Sequence, residues 1–162
     1  SQVMKELTEK EALYKIAAYC STAEHCLSEV KEKLETWNVS SEQQENIIKY
    51  LVKEQYINEE RYAHSYVNDK FRFNKWGKNK IKQGLQLKGI LPETIQNALE
   101  SINTDEYILT LRQLLNAKNK SIKARNDYER CGKLIRFAIG RGYELSIIKQ
   151  CITNAEDDYD LD

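Results

Sequence analysis

Two stretches of this chain carry the residue types that meet a polyanion. From position 70 to 90, Lys70, Arg72, Lys75, Lys78, Lys80, Lys82 and Lys88 stand without one acidic residue, and Phe71, Phe73 and Trp76 interleave with them. Ammonium groups pair with phosphate and aromatic rings stack on bases, the mixture found in nucleic-acid readers. The same residues have plainer uses: Phe71 and Trp76 as the seal of a helix–helix corner, the lysines as solvated charge. Lys75, Lys78 and Lys82 are three and four apart, a spacing that a continuous helix places on one face. Arg130, Lys133 and Arg136 flank the apolar pair Leu134 and Ile135 and form a second basic surface, with Arg141 beyond it. The candidate contacts to a polyanion are Lys70, Arg72, Lys75, Lys78, Lys82, Arg130, Lys133, Arg136 and Arg141.

Catalytic and metal chemistry has no comparable foothold. His25 beside Cys20 and Cys26 invites a metal reading, but these cysteines are too far apart for the close Cys pair of a zinc site. Cys20, Cys26, Cys131 and Cys151 are expected as reduced, buried or half-buried thiols, and His64 as a surface residue. The chain has no Gly-rich phosphate loop, no H-E-x-x-H and no nucleophile elbow. Carboxylates are plentiful, but none stands out as a buried pair. The expectation is a protein that is not an enzyme, with no cofactor and no metal.

The elements that position the basic stretches follow from composition and spacing. The chain has 162 residues, 41% hydrophobic and 31% charged, with six Gly and one Pro. That excludes collagen-like and Pro-rich architectures. The longest unbroken apolar run, Ile16 to Cys20, is far short of the roughly 20 residues of a membrane span. No basic segment followed by an apolar one opens the chain, so a cytoplasmic location is expected. The formal net charge is zero but partitioned: residues 1–60 carry 7 basic and 12 acidic side chains, and Lys118 to Lys149 carry 9 basic against 3 acidic. Glu156 to Asp162 adds five acidic groups and no basic one. Potential acts over a Debye length of about 8 Å, so this segregation matters more than the sum.

A repeat organises the chain. Leu34-Glu35-Thr36-Trp37-Asn38-Val39, Leu85-Gln86-Leu87-Lys88-Gly89-Ile90 and Ala138-Ile139-Gly140-Arg141-Gly142-Tyr143 share a pattern whose final residues fall at 39, 90 and 143. Asn38, Gly89 and Gly142 hold one position, and all tolerate the left-handed conformation that ends a helix. Helix starts are expected at the capping boxes Thr8-x-x-Glu11 and Ser21-x-x-Glu24, at Ser41-x-x-Gln44, at Asn58, at Pro92, at Thr104-Asp105-Glu106 and at Asn126-x-x-Glu129. The helix after Asn58 is expected to end near Trp76-Gly77, a short basic helix to run to Lys88, and the last helix to run from about Glu144 to Ala155. No alternating run argues for a strand. The reading is all-α: an elongated tandem array of three three-helix units, about nine helices, over 8–57, 58–103 and 104–155, with an acidic tail at 156–162. Short helices give thin cores, so each unit leans on its neighbour.

The stretch Tyr56-Ile57-Asn58-Glu59-Glu60-Arg61-Tyr62-Ala63, with Trp76-Gly77 and Leu87-Lys88-Gly89-Ile90 downstream, resembles the bacterial regulatory protein RecX family. In that family a tyrosine–aliphatic–Asp–Asp/Glu turn leads into Arg–aromatic–Ala, then a glycine after a basic stretch, then a Lys-Gly-aliphatic break. Arg141-Gly142-Tyr143 is similar to the family's late Arg-Gly-aromatic element, and Ala12-Leu13 with Ser21 to its opening helix. The match spans roughly residues 12–153. Asn58 stands where Asp is usual, Trp37-Asn38 where a Lys/Arg-Gly pair is usual, and Tyr19 and Cys20 where many members are basic. The resemblance implies tandem three-helix units and a regulator of the RecA recombinase. Family members bind RecA and its DNA filament and inhibit strand exchange, ATP hydrolysis and co-protease function. RecA, the RecA–single-stranded DNA filament and DNA itself are thus the implied partners, of a monomer with no membrane association. A helical DNA-binding protein with no recombinase partner is the alternative that the residues alone leave open.

Overall fold

The computed structural model describes residues 6–160, with side chains described for 6–153. Among the described residues there are nine helices and no strand: α1 Glu9–Thr22, α2 Leu27–Thr36, α3 Ser41–Lys53, α4 Glu59–Arg72, α5 Lys78–Leu87, α6 Pro92–Glu100, α7 Thr104–Ser121, α8 Asp127–Gly140 and α9 Leu145–Asp160. This is the all-α array read from the repeat. No helix among them is long and apolar enough to cross a membrane. Helix α9 runs to Asp160, past the expected end at Ala155, so the first part of the expected acidic tail, 156–162, continues the helix, and the tail's side chains and residues 161–162 lie outside the described part of the structure.

The three repeated words do the same job in space. Asn38, Gly89 and Gly142 adopt φ of 58°, 79° and 100°. At each, the N–H reaches back to the carbonyl of Glu35, Gln86 or Ile139, and the next N–H reaches back to Leu34, Leu85 or Ala138. These paired bonds are a Schellman closure, which satisfies carbonyls that a helix end leaves open. The apolar residue that follows, Val39, Ile90 or Tyr143, is then driven inward and buried. Eight positions later Ile47, Ala98 and Cys151 are buried in turn on α3, α6 and α9.

Helix starts agree with the sequence where a side chain has no better partner. Thr8 and Glu11 form the reciprocal capping box of α1. Asn58 caps Arg61 N–H at 2.9 Å and Asn126 caps Glu129 N–H at 2.8 Å. Three expectations are corrected. Ser21 does not open α2; its hydroxyl bonds back to the Ala17 carbonyl inside α1, so the helix runs on and the cap falls to Cys26, whose N–H is taken by Glu29. Ser40 rather than Ser41 caps α3, accepting from Gln43 N–H at 3.3 Å, while the Gln44 carboxamide donates to the Val39 carbonyl. Helix α4 stops at Arg72, because Lys75 turns left-handed at φ 56° and closes a further end of this kind, with Trp76 N–H on the Lys70 carbonyl.

The core is divided unequally. Ala12, Ile16, Val30, Leu34, Val39, Ile47, Leu51 and Ile57 enclose a core among α1, α2 and α3. A larger core runs unbroken through α4 to α9, from Val67, Phe71, Ile81 and Leu85 to Tyr107, Leu111, Leu134 and Ile148, and it takes in Cys26 from the start of α2. The accessible surface is 11044 Å² for 19.0 kDa, against about 8400 Å² for a compact monomer of that mass.

Candidate polyanion interface

The basic loop between α4 and α5 is held by residues 29 to 68 positions away. Gly77 N–H donates to the Arg141 carbonyl and Asn79 N–H to the Gly142 carbonyl, each at 2.8 Å. The approach is backbone on backbone: a Cβ on Gly77 would lie 2.3 Å from the Gly142 carbonyl carbon, and one on Gly142 would lie 2.4 Å from Lys80 Cβ. Tyr143 donates its hydroxyl to the Lys75 carbonyl at 2.9 Å, and Arg141 donates Nη2 to the Asn74 carbonyl. Tyr107 accepts from Lys78 N–H at 2.9 Å and donates to the Glu144 carboxylate. Burial first, then the Glu144 carboxylate, push the Tyr107 phenol far above its ordinary value, so it stays a donor. Burial does the same for Tyr143. The Gly77, Lys78 and Asn79 N–H groups at the start of α5 are thus filled by α7 and the α8–α9 turn, which leaves the lysine side chains as the loop's outward cationic groups.

Aromatic rings aim those lysines. Lys70 and Lys80 Nζ lie 4.9 and 4.6 Å from the centroid of Trp76, and Lys78 Nζ lies 5.1 Å from that of Tyr107. Contacts of this kind contribute about 0.5–1 kcal/mol each at exposed sites and restrain a long side chain. Phe71 is core, its ring 5.8 Å from Tyr107, and Trp76 packs half-buried against the same core. Phe73 is 79% exposed. Lys75, Lys78 and Lys82 do not share a helix face, a correction to the sequence reading: Lys75 sits in the left-handed turn, while Lys78 and Lys82 are one turn apart on α5. Arg72 is exposed on the last turn of α4. Lys80 was missed as a candidate; its signal was its place in the same acid-free run.

The second basic surface is smaller than its charge count. Arg130 directs Nη1 to the Asn119 carbonyl and to Asn119 Oδ1 at 2.9 Å, a tie between α8 and the end of α7. Lys133 Nζ donates to the Lys123 carbonyl at 2.6 Å and pairs with Glu129 at 3.3 Å. Arg125, then Lys133, hold the Glu129 carboxyl below its ordinary value. Arg136 is exposed and lines a cavity of about 620 Å³ with Lys118, Lys123, Lys133 and Phe137. Lys118 and Lys123 belong to this surface, and no periodicity marks them. Arg136 and Gly140 are one turn apart on α8, so this surface adjoins the seam.

Two family models match the chain: RecX, second three-helix domain, over residues 58–99, and RecX, third three-helix domain, over residues 105–152. A regulatory protein RecX of Clostridium botulinum (strain Alaska E43) is 31% identical over 163 residues, covering 96% of this chain and 75% of the relative. The chain belongs to the RecX family. The RecX of Clostridioides difficile (strain 630) is 30% identical over 147 residues, 87% of this chain and 67% of that one. The chain spans 61% of the length of a Clostridium perfringens RecX and 59% of that of the Clostridium acetobutylicum RecX. Two RecX crystal structures share the fold. One superposes with TM-score 0.82 at 23% identity, covering 90% of this chain and 73% of that one. The RecX of Lactobacillus salivarius gives 0.81 at 22% identity, covering 91% and 96%.

In RecX terms the seam joins the second three-helix domain to the third. Residues 74–79 come from the second and Tyr107 with 141–144 from the third. The first unit meets the second by other means. Ser28 donates its hydroxyl to the Lys88 carbonyl at 2.7 Å, Lys88 Nζ meets Glu29 at 3.2 Å, and Arg61 pairs with Glu24 at 2.6 Å. His25 stacks on Tyr19 with centroids 3.7 Å apart and faces Glu29 at 3.3 Å. None of the four cysteines is in a disulfide, and burial pushes the Cys20, Cys26 and Cys151 thiols up. Among the described residues no three His, Cys, Asp or Glu side chains converge on a metal position. His64 is exposed, with Nδ1 2.9 Å from the Glu60 carbonyl.

Proposed function

We propose that this RecX-family regulator binds the RecA recombinase and its DNA filament, and inhibits recombination, ATP hydrolysis and co-protease activity by occupying the filament. The observation that carries this reading is the seam. The loop that carries its lysines belongs to the second domain, but its backbone is held by Tyr107, Arg141, Gly142 and Tyr143 of the third, so the placement of Lys75 and Lys78 depends on the docking of both domains. Lys70, Lys75, Lys78 and Lys82 approach DNA phosphate there and Arg72 and Arg136 extend the contact, while Arg141 braces the loop through the Asn74 carbonyl and Arg130 and Lys133 tie down the surface around Arg136. The acidic first unit, 8–57, meets recombinase protomers. The protein acts as a cytoplasmic monomer, stoichiometrically and without turnover.

Bridging of adjacent protomers resists the motions of ATP hydrolysis, and linked units bind more tightly than separate ones through effective concentration. Titrating the protein against RecA on single-stranded DNA tests this. The expected result is ATP hydrolysis falling in proportion to the fraction of filament occupied. Full ATPase activity at saturating protein, with DNA bound all the same, would favour a helical DNA-binding protein with no recombinase partner.

A further inference from the structure

We propose that the groove between α5 and the end of α8 receives an unstacked base of a single-stranded nucleic acid. The groove has a volume of about 460 Å³ and is lined by Asn79, Lys80, Lys82, Gln83 and Gln86 from the second domain and by Ile139 from the third. A volume of this size suits one nucleotide-sized group. Asn79, Gln83 and Gln86 are four and three apart, hence on one face of α5, and all are exposed. Ile139 is 49% exposed, an apolar surface on the opposite wall. Beside it, a Cβ on Gly140 would meet nothing within 4 Å, so the floor is open.

The lining chemistry selects the ligand class. A carboxamide offers donors and an acceptor together, which matches the mixed edges of nucleobases. Ile139 meets a base face, and Lys80 and Lys82 meet the flanking phosphates. An acidic peptide is a poorer occupant. Carboxylates are acceptors only and are best met by guanidinium forks; no arginine lines this groove, and an acidic peptide would use the carboxamide N–H donors while leaving their oxygens unmatched. A duplex keeps its bases stacked and paired, so it reaches the lysines without filling the groove. The lysine part of this inference rests on the polyanion reading above; the carboxamide part rests on the groove alone, and neither needs RecA.

The test measures binding without RecA, by anisotropy, to labelled strands of equal length: oligothymidine, an abasic deoxyribose-phosphate strand and a duplex, with poly-glutamate as a competitor. The expected result is at least about fivefold tighter binding of oligothymidine than of the abasic strand. Asn79→Ala/Gln83→Ala/Gln86→Ala, and separately Ile139→Ser, bring oligothymidine down to the abasic level with the salt slope unchanged. Lys80→Ala/Lys82→Ala weakens both strands and shallows the slope. Asn79, Lys82, Gln83, Gln86 and Ile139 are exposed and Lys80 is half-buried beside Trp76, and unchanged helical circular dichroism shows that the fold is kept in each variant. Equal affinity of the parent for the two strands, tighter binding of duplex or poly-glutamate, or full base preference in both carboxamide and Ile139 variants would overturn the inference. Loss of ATPase inhibition with base preference retained would instead overturn only the recombinase reading.

Discussion

At the scale of single residues, the most consequential groups are polar ones that join units. Burial pushes the Glu29 carboxyl up, but the Cys26 N–H, the Lys88 ammonium and His25 together outweigh it, and its net position is below the ordinary value. A carboxylate lowered in the folded state stabilises the fold above its unfolded pKa, and that contribution is lost as pH falls through the folded one. Glu29→Gln therefore costs about 1–2 kcal/mol at neutral pH, and its melting curve converges on the parent's only in acid, below the lowered folded-state value. A gap that persisted into acid would assign Glu29's effect to packing. Tyr107→Phe removes one donor and one acceptor at the seam, stranding Lys78 N–H and the Glu144 carboxylate. About 1–3 kcal/mol is lost, read as a lower denaturant midpoint at constant slope.

At the scale of elements, helix ends carry the architecture. Gly142→Ala has to place a Cβ 2.4 Å from Lys80 Cβ and 2.7 Å from Lys80 N, at φ +100°. Gly77→Ala meets backbone at 2.3 Å. Gly89 is also left-handed, but a Cβ there meets nothing within 4 Å, and the same holds for Gly140 at the end of α8. Thermal unfolding should rank the four accordingly. Gly142→Ala and Gly77→Ala cost more than about 2 kcal/mol, because the domains have to part. Gly89→Ala costs about 1–2 kcal/mol, the left-handed strain alone. Gly140→Ala is neutral or stabilising by up to about 1 kcal/mol, as alanine for glycine in a helix. A Gly142→Ala effect no larger than that of Gly89→Ala would mean that the seam yields easily.

For the whole molecule, the division of the core sets what can be separated. The large core spans the second and third domains and borrows Cys26 alone from the first unit, whereas the small core closes on itself. A chain beginning at residue 58 should keep a cooperative melt, lowered by the loss of Cys26 from its pocket and of the Glu24–Arg61 and Glu29–Lys88 pairs. Cutting between 103 and 104 should instead unfold both halves, since it bares Phe71, Tyr107 and Tyr143 together. Electrostatics also acts at this scale. If the seam lysines reach phosphate, log affinity for DNA or for a RecA–DNA filament falls with log salt at roughly 0.7–0.9 per contact. Lys78→Ala/Lys82→Ala then shallows the slope and lowers stability by no more than about 0.5–1 kcal/mol, the share of the Lys78–Tyr107 contact. A slope indifferent to that pair assigns both lysines to solvated surface.

Period and helix-end chemistry are local, so the sequence alone determined the helices, the repeat and the three left-handed stops at Asn38, Gly89 and Gly142. It erred where a local signal had two outlets: Ser21 bonds back within α1 rather than forward to a new helix, and Lys75 leaves the helix that its spacing with Lys78 implies. The basic run from 70 to 90 was legible as charge, but charge density carries no direction. Tertiary structure decided that Trp76 and Tyr107 aim the lysines, that Arg130 turns inward to Asn119, and that Gly77 meets Gly142. Those pairings join residues 6 to 65 positions apart, the longer ones across helix ends whose relative placement depends on the packing of a shared core. No pattern within one helix specifies that placement; the apolar faces of six helices closing together do.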